Sequence, residues 1–67
     1  MNQETERAPL LLRGPEVAAA LGVSRALAYR WMSAGILPVI RRGRSIRVPR
    51  AALVKWIDEH TQHPGAA

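Results

Sequence analysis

Cysteine is absent from the 67-residue chain, so no disulfide can staple it. A domain this small buries only about 60% of its unfolded surface and must find its stability in packing. Histidine is almost absent too: His60 and His63 are the only imidazoles, and the usual companions of a zinc site are missing. No metal and no other cofactor is expected. No apolar run approaches the roughly 20 residues of a membrane span. The leading "MNQETER" has no basic region followed by an apolar one, so it does not read as a signal peptide. A reducing cytoplasm is the expected setting, with no membrane partner. Carboxylates are scarce, and most lie near the ends: Glu4 and Glu6 at the start, Asp58 and Glu59 near the finish. With no Ser/His/Asp or Cys/His set and no phosphate-binding glycine loop, nothing meets the first checks for an active site, and no enzyme is expected.

What the chain has instead is positive charge in its middle. The net charge is +5, yet between residues 8 and 57 eight arginines and one lysine face Glu16 alone. A concentrated positive field on so small a body calls for a polyanion, either nucleic acid or an acidic surface. Nine of the ten basic residues are arginine, which matches phosphates and guanine edges bidentately where lysine cannot. A GC-rich genome explains arginine over lysine, but not the clustering.

The polar residues 1–8 and the closing 61–67 read as disordered tails, leaving one domain over 9–60. "LLL" at 10–12 is an extended lead-in that packs on the core. In "RGPEVAAALG", Gly14 suits an N-cap, Pro15 the first helical position, Glu16 the positive helix end and Gly22 the stop. The expected helix covers 15–21, with Val17, Ala20 and Leu21 inward. After a two-residue turn, Ser24 offers an N-cap for a second helix ending at Gly35. Leu27, Ala28, Trp31 and Met32 gather on its inner face; Ala26, Tyr29, Arg30 and Ser33 gather opposite, with Arg25 at the edge. A helix, a glycine-centred turn and a helix with an acid-free outer face form a helix-turn-helix pattern able to enter a major groove.

Pro38 rules out a helix in "ILPVIRRGRSIRVP", and β-branched residues on both sides of Gly43 predict a hairpin. With a three-residue loop of Gly43, Arg44 and Ser45, Ile40, Ile46 and Val48 share one face with Arg42. Val39, Arg41 and Arg47 then point the other way, with Arg44 at the tip. A two-residue Gly43–Arg44 turn is the alternative and shifts that register. From Pro49 a last helix sets Ala52, Leu53, Trp56 and Ile57 at helical spacing to close the core. Trp31 and Trp56 read as core residues rather than base-stacking platforms.

The segment "GPEVAAALGVSRALAYRWMSAGILPVIRRGRSIRVPRAALVKWIDEH" resembles the small winged-helix domains of phage and plasmid excisionases, and of their relatives at the DNA-binding ends of MerR-type regulators. The resemblance is carried by "LGVSRALAYRW", "AGILPVIRRGRSIRVP" and "LVKWI" in order, and covers most of the chain. It implies a mainly α winged helix-turn-helix: helix, turn, recognition helix, two-stranded wing and C-terminal helix. It further implies that Ser24, Arg25, Ala26, Tyr29 and Arg30 meet the major groove, while Arg41, Arg44 and Arg47 of the wing track backbone or minor groove. Gly14 stands where such domains usually open their first helix with Ser or Thr. Arg42 stands where they often place an aliphatic residue, so its stem is expected across the core edge with the guanidinium reaching out. The implied role is that of a recombination directionality factor in a bacterial host. Several copies would sit side by side, bend double-stranded DNA and turn a separate integrase towards excision. A small repressor using the same contacts is the alternative, and a basic module that binds an acidic partner or membrane is a third reading.

Overall fold

The computed structural model describes residues 9–62 and 64; the tail expected over 1–8, and His63 and 65–67 of the closing one, lie outside the described residues. The chain runs β1 (Leu11–Leu12), α1 (Gly14–Leu21), α2 (Arg25–Ser33), β2 (Ile40–Arg42), β3 (Ser45–Pro49) and α3 (Arg50–His60). This mainly helical order, with a small antiparallel sheet, is the expected winged helix-turn-helix.

Helix α1 begins one residue earlier than its glycine suggests. Arg13 is the N-cap, Gly14 the first helical residue and Pro15 the second, where a missing N–H costs nothing. Glu16 Oε1 accepts the Arg13 backbone N–H at 2.7 Å, the return half of a capping box. The forward half is missing because arginine has no acceptor. Gly22 ends the helix at φ 72°, in the left-handed region that a side chain would strain. Its N–H and that of Val23 both donate to the Ala18 carbonyl, at 2.8 and 3.0 Å. Val17 and Ala18 are buried, Leu21 is half-buried, and Ala20, expected inward, is exposed. Ala18 takes its place because Gly14, Ala18 and Leu21 recur at i, i+4 and i+7 along one face.

Helix α2 opens as its sequence predicts: Ser24 Oγ accepts the Leu27 N–H at 3.1 Å. Ala28 and Met32 are fully buried, and Leu27 and Trp31 half-buried, on the face the spacing selects. Beyond Gly35, at φ 78°, the Ile36 and Leu37 amides turn back to the Trp31 carbonyl at 2.9 and 3.2 Å, and Leu37 enters the core.

The sheet has three strands in the order β1-β3-β2, both pairs antiparallel. The expected hairpin therefore gains a third strand: Leu11 pairs with Pro49 and Leu12 with Val48. The expected three-residue loop is overturned. Ile40 pairs with Arg47, Arg41 with Ile46 and Arg42 with Ser45, leaving a two-residue Gly43–Arg44 turn. Gly43 has φ 58° and Arg44 does not, the pattern of a type II′ turn, whose twist suits a hairpin. Directly opposed residues share a face, so Val39, Arg41, Ile46 and Val48 lie on one side and Ile40, Arg42, Ser45 and Arg47 on the other. Val39 is accordingly half-buried and Ile40 is 46% exposed.

The core consists of Leu12, Val17, Ala18, Ala28, Met32, Leu37, Val48 and Leu53, ringed by half-buried Leu21, Val23, Trp31, Val39, Ile46 and Trp56. From α3 only Leu53 is fully buried; Ile57, expected inward, is 40% exposed. The two tryptophans meet at a centroid distance of 6.0 Å and 44°. Trp56 also donates Nε1–H to the Ile36 carbonyl at 2.9 Å, tying α3 to the turn after α2. Both behave as edge-of-core residues.

Candidate nucleic-acid interface

The outer face of α2 is free of acid. Ala26, Tyr29, Arg30 and Ser33 are all exposed there, as the helical period requires once Ala28 and Met32 point inward; Arg25, at the edge of this face and in the first turn, is exposed as well. Ser24 sits at the start of this face, but its hydroxyl is already an acceptor for the helix cap. Arg30 lies in the last turn, where a positive charge suits the helix dipole.

Tyr29 is exposed yet not free. Its ring lies on Gly14: a Cβ built there would come within 2.6 Å of both ring Cε atoms. The ring thus braces the first residue of α1 against the recognition helix, with the hydroxyl-bearing end at that contact. With the ring where it stands only a glycine leaves room, and any larger residue must push the ring aside. A glycine where Ser or Thr usually opens the helix was the one trace of this contact in the sequence.

The wing presents Arg42 and Arg44 as exposed side chains, Arg44 at the turn. Arg47 is half-buried and bonds to the neighbouring Ile46 carbonyl at 3.0 Å. Arg41 is exposed, but it lies on the aliphatic side of the hairpin and reaches sideways to the Ser33 carbonyl, Nη2 to O 3.4 Å. The arginines of the wing therefore divide differently from the sequence reading, with Arg42 outward and Arg41 turned towards the recognition helix.

Among the described residues the one ion pair joins Arg13 and Glu16, Nε to Oε1 3.7 Å. The guanidinium groups of Arg25, Arg30, Arg42 and Arg44 thus have no carboxylate within salt-bridge distance among the described residues, which leaves a positive field there. No group of three His, Cys, Asp or Glu able to hold a metal occurs among the described residues. A groove of about 340 Å³ beside α3 is lined by Ile36, Pro38, Ala52, Lys55, Trp56 and Glu59. No described helix is long and apolar enough to cross a membrane.

Two short helices joined by a left-handed glycine, the second with a basic outer face, and a hairpin wing define a winged helix-turn-helix. The family model of a helix-turn-helix domain matches residues 11–61, from β1 through the end of α3. The chain belongs to this family of double-stranded DNA-binding domains, which is typically non-enzymatic. No curated protein and no solved structure matches the chain.

Proposed function

We propose that the chain is a sequence-specific architectural DNA-binding protein of the excisionase kind, which bends attachment-site DNA and directs an integrase towards excision. The observation that carries the DNA-binding half is the acid-free outer face of α2 beside an exposed arginine wing. The recognition helix meets the major groove through Arg25, Ala26, Tyr29 and Arg30, with Ser24 chiefly a cap. Arg30 reads a base edge; Arg25, at the helix start, and Tyr29 anchor backbone. The wing lies along backbone or minor groove through Arg44 and Arg47.

The excisionase half rests on the resemblance of the whole series of elements to that family. Bending a site costs on the order of 1–6 kcal/mol and is offset by the added contacts a curved duplex permits. Side-by-side copies would share that cost. The deciding experiment is excision in vitro by the cognate integrase with and without the protein, alongside integration. Stimulated excision and depressed integration support the proposal. Tight, sequence-specific binding with no effect on either reaction reassigns the chain as a repressor that acts by occupancy.

A further inference from the structure

The hairpin register separates two adjacent arginines that the sequence makes look alike. Arg41 stands opposite Ile46 and so shares the side of Val39 and Val48, which packs on the core. Its guanidinium leaves that side laterally and donates to the carbonyl of Ser33, the last residue of α2. Ser33 is among the final carbonyls of a helix, which have no intrahelical donor, and a cation there also meets the negative end of the dipole. Arg42 stands opposite Ser45, on the outward side with Ile40 and Arg47. It is exposed, and among the described residues no acceptor of the protein engages its guanidinium.

We infer that Arg42, not Arg41, joins Arg44 as a phosphate contact of the wing, and that Arg41 is a positioning residue that locks the wing to the C-terminal end of the recognition helix. The Arg42 assignment rests on the DNA-binding reading above; the Arg41 assignment is visible in the free protein. The physical need is preorganisation. A helix in the groove and a wing on the neighbouring backbone must engage together, so motion between them would have to be frozen on binding. A cross-link from hairpin to helix end restrains that motion in advance. The outward arginine beside the tip is left to neutralise phosphate.

The experiment compares wild type, Arg41→Ala, Arg41→Lys and Arg42→Ala by duplex titration across salt, thermal melting and amide exchange at residues 33–37 of the free protein. Arg42→Ala should keep the wild-type melt and exchange while losing one phosphate contact. That is about 0.9 in log–log slope, or roughly 3.5-fold less change in affinity between about 50 and 200 mM salt. Arg41→Ala should keep the slope, weaken binding uniformly, lower the melting midpoint and speed exchange at the end of α2, with Arg41→Lys recovering part of each. A slope flattened by Arg41→Ala and not by Arg42→Ala reverses the assignment, and equal flattening by both overturns the division of roles. Wild-type exchange and melting in Arg41→Ala overturn the lock whatever happens on DNA. If the wild type binds no duplex, the DNA-binding reading falls and Arg42's role with it, while melting and exchange still decide Arg41.

Discussion

The ring of Tyr29 lies against Gly14, joining the exposed side of the recognition helix to the first residue of α1. The contact sets how the two helices of the turn meet, and it explains a glycine that a capping argument alone would count as a weakness. It also makes a small residue in α1 a determinant of the DNA-facing surface.

Gly14→Ala should therefore destabilise the domain, against local propensity. Alanine is favoured over glycine in a helix by up to about 1 kcal/mol, but overpacking against the ring costs about 1–3 kcal/mol. In a Tyr29→Ala background the obstacle is gone, and the same change should become neutral or stabilising. Urea denaturation of the four proteins measures the coupling; strictly additive effects would disprove the contact's role.

The hydroxyl of Ser24 should matter more to folding than to binding. Ser24→Ala loses the cap on Leu27, at about 0.5–2 kcal/mol. Ser24→Asp retains a capping oxygen beside the positive helix end, so its melting midpoint should stay near wild type. The added negative charge next to the binding face should nonetheless weaken DNA affinity. Melting curves and gel shifts on both variants separate the two effects; a Ser24→Asp variant that melts like Ser24→Ala would contradict the cap.

Core and surface should respond very unequally to truncation. Met32 is completely buried, and Met32→Ala should cost about 2–5 kcal/mol. At about 0.05–0.15 kcal/mol per residue that is a large share of the domain's total stability, so the variant should melt well below wild type by circular dichroism. Val54 is 62% exposed, and Val54→Ala should stay within about 0.5 kcal/mol of wild type.

Local signals in the sequence were sufficient for the helices and for their ends to within a residue or two, although Arg13 and not Gly14 caps α1. Ser24 and Gly22 mark their caps by chemistry that acts within four residues, and the spacing of Leu27, Ala28, Trp31 and Met32 points one way only. Features set by distant contacts leave no such local mark. The run Ala18–Ala19–Ala20 carries no size pattern, so the inward alanine is selected by Gly14 and Leu21 on the same face. The strand at Leu11–Leu12 exists through pairing with Pro49 and Val48, a distant segment. The hairpin was the costliest case. Counting aliphatics favoured Ile40 over Val39, but a glycine at φ 58° followed by a residue without positive φ closes a two-residue turn. That single step moves every side chain of β2 to the other face. The candidate helix face was thus legible in the sequence, and the division of the wing arginines was not.

Arg30→Ala should relax sequence preference more than it reduces affinity. A bidentate contact with a base edge is worth about 1–3 kcal/mol of discrimination. Selection from a randomised duplex pool should show a broadened preference at the position Arg30 reads. An unchanged preference with uniformly weaker binding would make Arg30 a backbone contact.

The most direct test of the central claim, a winged helix whose hairpin positions the domain on DNA, is the salt dependence of duplex binding by wild type and Arg44→Ala. The account predicts a steep linear fall of log affinity with log salt for the wild type. It predicts a slope shallower by about 0.9 for Arg44→Ala, with the loss shared equally by all sequences. An affinity insensitive to salt, or an Arg44→Ala variant indistinguishable from wild type, would contradict it.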